Sequence, residues 1–465
     1  MDRSAAAALL PNRLIGCALV GMPRLRVDAV CVQPAAFLRF AFRRALLRFH
    51  SGHEASCRVA TQTECLQNAA VSLVGRLTRT PERRLLLIAF AVRIVPAALV
   101  FGSDDVAGWA TWGRLLAAGS NPTASTFQVA WPPMWLPFTW FASVMSETTH
   151  IPFYVLIKLI PIGADLVLTL ILYAVAEEHG CSPWKTALAY ALNPISIYCT
   201  AIHGQFDALP TLGVMGAIVM MGGRGDSRRP MGAAAWLGIG ATLKTWPLFI
   251  LPALLAPLRS LRRRVQTAAV AIGIFACALL SSWLFFGFRS VTAILGYRGF
   301  SGWWGLSSIA YLRGVTVTAN TFSAILFGAM ASTALLLIVK RTEPARGALL
   351  LMLTFYVTAP GFGLQYLIWI VPLALLADQR RGLTYSILTG LLIAWEVLAR
   401  PYAGHVGDMF RNLPHAGYAR AYGGATDHLY TVVDRLVLWS FFCRWWLVML
   451  IRTARDREAP FAEAS

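Results

Sequence analysis

From residue 85 to residue 451 the sequence alternates between long apolar runs and short, arginine-rich turns. A bilayer's hydrocarbon core is about 30 Å thick, and an α-helix crosses it in about 20 residues. Inside that core every backbone N–H and C=O must be satisfied within the protein, so runs of this kind fold as packed helices. Only 14% of the chain is charged and 57% is hydrophobic, against about 25% charged residues in soluble domains. The predicted fold class is therefore all-α, a polytopic transmembrane helical bundle.

The predicted spans lie near 85–102, 153–176, 186–202, 206–222, 265–287 and 316–339, with shorter ones near 346–360, 364–377, 383–399 and 430–451. Two stretches are irregular: a short apolar piece at 131–146, and 231–257, which breaks at Lys244-Thr245-Trp246-Pro247. Counting them as crossings or re-entrant segments gives about 10–12 spans. This divides the chain into a basic segment 1–84, a polytopic domain 85–452 and a tail 453–465.

A net charge of +19 would suit a nucleic-acid binder. Here, however, the basic residues cluster at 76–84, 224–229, 259–264, 340–346, 380–381 and 444–457, between apolar runs. That is the pattern of cytoplasmic loops, where Lys and Arg accumulate, and no nucleic-acid motif accompanies it. Basic turns flank 231–257 at both ends, so its halves must form a hairpin or re-entrant pair. Broken backbone at membrane depth is tolerated only inside protein or along a wet cavity; the breaks thus predict a cavity on the non-cytoplasmic side. Residues 1–84 hold thirteen arginines against five acids and no lysine, the composition of a transit peptide or a disordered tail. Met22 is one alternative initiator. The eight cysteines show no metal-like spacing, and no internal repeat of the transporter kind is visible.

Candidate chemistry gathers at one face. Ile202-His203-Gly204-Gln205-Phe206-Asp207 forms a polar corner between two spans, where ionisable groups are costly unless they face protein or water. Asp104 and Asp105 follow the first span, with Asp105, Trp109 and Trp112 sharing one helical face. Aromatic rings beside a carboxylate suit a sugar, whose apolar face stacks while its hydroxyls seek an acceptor; Ser-Asp-Asp is equally ordinary N-capping sequence. Gly119-Ser120-Asn121-Pro122 marks a turn, and Trp131-Pro132-Pro133 an extended approach to the membrane with interfacial rings. Asp165, alone in an apolar span, must pair within the bundle or point into the cavity. Lys244, one of four lysines in the chain, sits at a broken-helix tip where an ammonium could clamp phosphate or snorkel to the interface. Arg298, amid glycines and aromatic rings at 296–305, and Gln365, beside Tyr366 and Trp369, could contact a ligand. The loop 400–429 carries His405, Asp408, His415, Asp427 and His428 at spacings too irregular for a metal site.

Asp105 with Trp109 and Trp112, Gly119-Ser120-Asn121-Pro122, Trp131-Pro132-Pro133, Asp165, Asn193-Pro194, His203-Gly204-Gln205-Phe206-Asp207, Leu243-Lys244 with Pro247, and Gly361-Phe362-Gly363-Leu364-Gln365-Tyr366 form an ordered set over roughly 85–400. As a set it resembles the glycosyltransferase C superfamily, closest to the bacterial polyprenol-phosphate-mannose-dependent alpha-(1→2) mannosyltransferases of glycosyltransferase family 87. Some likeness also runs to the mannosyl- and glucosyltransferases of glycosylphosphatidylinositol and asparagine-linked glycans. Thr123 stands where an aromatic normally follows Asn-Pro, and Trp131 where tyrosine is common; these departures bear on the sugar more than on the fold.

The resemblance implies a membrane enzyme that moves a hexose, with mannose expected, from a polyprenyl-phosphate donor to a lipid or glycan acceptor. The reaction would occur at the outer face of a bacterial inner membrane. It implies a first-loop aspartate as general base, which falls on Asp105 with Asp104 the fallback. Trp109, Trp112 and Trp131 are expected to stack on sugar or acceptor. His203, Gln205, Asp207, Lys244, Arg298 and Gln365 are expected around the donor phosphate. The scheme requires no cofactor, although an Asp-Asp pair could bind a divalent metal. Rival readings are a polyprenyl-lipid flippase or small-solute transporter, which would show repeats and paired charges along a pathway, and an oligosaccharide ligase, which would need a large outer loop with essential Arg and His.

Overall fold

The computed structural model describes residues 80–122, 131–222, 228–297, 302, 304–315, 317–395 and 425–456, side chains of 425–434 excepted. Residues 1–79, Arg298, His405, Asp408, His415 and the side chains of Asp427 and His428 lie outside the described residues. Among the described residues every regular element is helical.

The first helix, α1 (Pro81–Leu99), starts three residues or so before the apolar run, because Thr80 caps it and Pro81 occupies its first turn. After Val100-Phe101-Gly102-Ser103 the chain turns by 79° into α2 (Asp104–Ala117). Gly102 makes the turn with φ +110°, a value that disfavours any side chain. A 3₁₀ turn (Pro133–Trp135) leads into α3 (Leu136–Thr149), followed by α4 (Phe153–Val175) and α5 (Pro183–Ala191). Asn193 then caps α6 (Pro194–Ile197), its side chain accepting the Ile195 and Ser196 N–H groups, and α6 widens into a π-helical turn, Tyr198–His203. Gly204, at φ +83°, closes that turn and redirects the chain into α7 (Ala208–Met221) and α8 (Pro230–Ala241).

Next come a 3₁₀ turn (Trp246–Ile250) with α9 (Leu251–Leu255), α10 (Leu261–Phe286), α11 (Phe288–Gly296) and α12 (Gly305–Leu312). The chain ends with α13 (Ala319–Lys340), α14 (Pro344–Thr358), a 3₁₀ turn (Leu364–Ile368) with α15 (Val371–Ala377), α16 (Gln379–Ala394) and α17 (Ala425–Arg455).

Among the described residues four single helices are long and apolar enough to cross a membrane: α4, α10, α13 and the Arg435–Arg455 part of α17. A fifth span is obtained only by taking α1 and α2 together across their bend. The expected 10–12 spans and re-entrant segments correspond to these and to shorter apolar helices, among them α7, α14, Trp246–Leu255 and Leu364–Ala377. Proline explains the shortening: Pro194 and Pro372 each remove a backbone donor inside an expected span, and Pro247 does so at the expected break.

Burial sorts the helices into layers. From Gly347 to Thr358 every residue of α14 is buried, as expected of a helix apolar all round. The long helices α10 and α13 leave large apolar side chains outside, with Leu284 69%, Phe285 75% and Leu335 64% exposed. Such surface belongs in lipid. Small residues draw α7 onto α8: a Cβ on Gly213 would lie 2.8 Å from the Gly240 Cα, leaving no room for a larger residue.

Candidate active site

Two turns meet at one end of the bundle. The loop after α1 is fastened to the corner by Ser103, whose N–H donates to the His203 carbonyl at 2.9 Å. Two residues further along each segment, the Gln205 side-chain amide donates to Asp105 Oδ2. The other oxygen of Asp105 has no hydrogen-bond partner among the described residues. Asp105 is half-buried while Asp104 beside it is exposed, so only Asp105 is built into the corner. Both carboxylates occupy the first turn of α2, where the helix dipole favours negative charge. Ser103 stands at the N-cap position, yet its hydroxyl makes no capping bond.

Below this pair lies a ring of aromatics. Trp109 and Trp112 are fully buried. Trp109 meets Trp135 at 5.1 Å edge-on and Phe206 at 5.4 Å, and Trp112 meets Trp131 at 5.6 Å. Phe206 in turn stacks on Trp135 at 4.4 Å. The sugar-stacking role expected of Trp109 and Trp112 does not fit this packing, because other rings already cover them; they form a rigid floor under Asp105. Trp131 keeps part of its surface exposed and is the ring of the three with a face to offer.

On the far side of the corner, Lys244 donates to Asp207 Oδ2 at 2.6 Å, and Trp369 Nε1 donates to Asp207 Oδ1 at 2.5 Å. Trp246 stacks on Trp369 at 4.6 Å, and Tyr366 stacks on its neighbour Trp369 at 4.2 Å. The Lys244 ammonium lies 4.9 Å from the centre of the Phe206 ring. This arrangement bears on two of the residues expected around the donor phosphate. Asp207, a buried carboxylate already committed to Lys244 and Trp369, would repel a phosphate. Lys244 in turn has its charge balanced internally, so its phosphate affinity is much reduced. His203 is buried, with its ring edge-on to Tyr198 at 5.6 Å, and Gln365 lies half-buried on the same turn as Tyr366. Among the described residues no group of His, Cys, Asp and Glu could hold a metal.

Asp165 occupies the interior. Arg93 Nε donates to its Oδ2 at 2.9 Å, Tyr190 to Oδ1 at 2.6 Å and Thr200 to Oδ2 at 3.0 Å, with Ser196 also bound. The network joins α1, α4, α5 and α6 and holds the π-helical turn that carries His203. Sequence reading passed over Arg93 and Lys158, each a lone cation inside an apolar run. That isolation was the available signal, since a cation at membrane depth needs a partner.

Against known proteins, the model of glycosyltransferase family 87 matches residues 129–360, about half of the chain. Among solved structures, the ArnT of Cupriavidus metallidurans, crystallised bound to undecaprenyl phosphate, matches with 13% identity and a TM-score of 0.44. That match covers 80% of this chain and 75% of the ArnT chain. No curated protein matches the sequence.

Proposed function

The chain belongs to glycosyltransferase family 87, and from that premise we propose that it transfers a hexose, mannose first among candidates, from a polyprenyl-phosphate donor to a lipid or glycan acceptor. The site would face the outside of a bacterial inner membrane, as the arginine-rich loops on the other side suggest. The observation that carries the reading is the hydrogen bond from Gln205 to Asp105, which leaves one carboxylate oxygen available at the junction of the two turns.

In the reaction the acceptor hydroxyl attacks the anomeric carbon opposite the phosphate. A new C–O bond forms while the bond from the anomeric carbon to the phosphate oxygen breaks, and its electron pair leaves with the polyprenyl phosphate. Asp105 takes the hydroxyl proton as the bond forms. Gln205 fixes the carboxylate so that the free oxygen points at the acceptor. One displacement inverts the anomeric centre. Trp131 supplies a face for the sugar or acceptor, and His203 and Gln365 line the side of the site where the donor would lie.

The test is transfer from labelled polyprenyl-phosphate mannose by purified protein. Asp105→Asn should lower the rate by about 10²–10⁴-fold, the range of general-base catalysis, while Asp104→Asn should retain most activity. Undiminished transfer by Asp105→Asn would remove Asp105 from the chemistry, and absence of transfer from any polyprenyl-phosphate sugar would overturn the reading itself.

A further inference from the structure

Lys158 lies near this corner and takes no part in the transfer scheme. It sits in the second turn of α4, 0% exposed, and its ammonium donates to the Val100 carbonyl. Its remaining described neighbour of electrostatic consequence is the Tyr154 ring, 5.6 Å from Nζ to the centroid. No carboxylate partners it among the described residues. An ammonium has three hydrogens to donate, so two remain unassigned. The two other buried cations of this region are each neutralised: Arg93 by Asp165, Lys244 by Asp207.

The surroundings of Lys158 are built closely around it. Gly102 and Gly204, the two glycines that shape the turns, flank its stem: a Cβ on either would lie 3.3 Å and 3.1 Å from Lys158 Cε. Next to Gly102, the Ser103 hydroxyl is buried and has no hydrogen-bond partner. Outward, the Phe101 and Tyr154 rings meet at 5.4 Å, and Leu99, the last residue of α1, is 56% exposed. A buried, uncompensated positive charge is costly. Here the residue after Gly102 carries an unpartnered hydroxyl, and the same turn ends an exposed apolar edge of α1. An anion that arrives attached to a lipid tail satisfies both groups at once.

Resting on the glycosyl-transfer reading, we propose that Lys158, with the Ser103 hydroxyl beside it, seats the anionic headgroup of the lipid donor. The apolar tail lies along the Leu99, Phe101 and Tyr154 surface. The phosphate accepts hydrogen bonds from Lys158 Nζ and Ser103 Oγ and supplies the counter-charge that the protein lacks at this point. Lys158 is then the cation that balances the phosphate as the sugar leaves, the part that Lys244 is too well paired to play.

The experiment measures binding of undecaprenyl phosphate, of uncharged undecaprenol and of inorganic phosphate to full-length protein in nanodiscs. Wild type should prefer undecaprenyl phosphate to undecaprenol and show little affinity for free phosphate. Lys158→Gln retains a donor for Val100 but no charge, and should lose about tenfold or more of that preference, as expected for a charge-assisted hydrogen bond. Lys158→Arg should keep most of it. If Lys158→Gln does not fold, Ser103→Ala, which removes a hydroxyl with no structural partner, should weaken undecaprenyl phosphate binding several-fold. Unchanged preference in Lys158→Gln, or in Ser103→Ala where only that variant folds, would reduce Lys158 to a cap on α1 and overturn the proposal while leaving transfer intact. Free phosphate binding as well as the lipid would replace the lipid headgroup with a soluble anion and equally overturn it. Wild type that ignores the charge on the lipid would overturn both this proposal and the function on which it rests.

Discussion

The two buried ion pairs, Arg93–Asp165 and Lys244–Asp207, share a charge pattern and differ in how completely they are satisfied. Arg93 donates to Asp165, to the Ala89 and Ala191 carbonyls and to Ser196. Asp165 additionally accepts from Tyr190, Ser196 and Thr200. Both side chains are 0% exposed. Lys244 has Asp207 alone as a hydrogen-bond partner, with aromatic faces around it, and its side chain keeps 8% of its surface. Desolvating two charges is repaid only when lone pairs and protons find partners. The first pair is therefore architecture, and the second is a less completely bonded polar wall beside the candidate site.

Removing Arg93 should break that contrast most severely. Arg93→Met strands Asp165 in the bundle and should cost about 3–5 kcal/mol, as measured for one-sided removal of buried pairs. Thermal unfolding in detergent would register it. Removing both charges in Arg93→Met with Asp165→Leu should recover part of the loss; no recovery would mean that the hydrogen bonds, not the charges, dominate.

At the second pair, Lys244→Met should destabilise by less, about 1–3 kcal/mol, since Asp207 keeps the Trp369 donor. The same variant should reduce transfer more than Arg93→Met reduces the activity of its folded fraction. The reverse ranking would exchange the roles assigned to the two pairs. Trp369→Phe keeps the stack on Trp246 and Tyr366 but removes one hydrogen bond to Asp207, for an expected loss of about 1 kcal/mol. A double-mutant cycle of Lys244→Met with Trp369→Phe should show coupling, because both act on one carboxylate.

A third, exposed pair calibrates the scale at its lower end. His179, in the turn after α4, faces Glu343, the N-cap of α14, at 3.8 Å. The Glu343 carboxylate facing it raises the His179 pKa above its ordinary 6.5, against partial burial, which lowers it. Burial pushes Glu343 up, but the facing His179 and hydrogen bonds from the Ala345 and Arg346 N–H groups hold it below its ordinary 4.5. The histidine's contribution is complete below about pH 6.5 and is lost as pH rises through the raised value. That of Glu343 is complete above about pH 4.3 and is lost as pH falls through the lowered one. His179→Gln should therefore flatten a small decline in melting temperature above pH 6.5, an effect within about 0.5 kcal/mol for a pair this exposed. A larger decline that survives in the variant would locate the titrating group elsewhere.

Much of the helical layout was legible. The long apolar runs correspond to α4, α10 and α13, and the break at Lys244 to Pro247 separates α8 from the turn that follows. Less legible were the pauses within spans, where Asn193-Pro194 and Pro372 end one helix and begin another. For the candidate site, the corner and the first loop were both visible as unusual polarity. Their joining was not, and neither was the fate of the rings: Trp109 and Trp112 share a helical face, but whether that face meets water or Trp135 and Phe206 depends on α3 and the corner.

What the sequence determined by itself is local: which stretches are helical, where proline and glycine interrupt them, and that charge inside them must be answered. Each answer came from far along the chain. Arg93 meets Asp165 across 72 residues, Asp105 meets Gln205 across 100, and Asp207 meets Trp369 across 162. A run of apolar residues specifies a helix because its backbone bonds close within four residues. The partner of a buried charge is chosen only when helices pack, since desolvation penalises every arrangement that leaves the charge alone. At Lys158, among the described residues, packing supplied a carbonyl and a ring but no opposite charge.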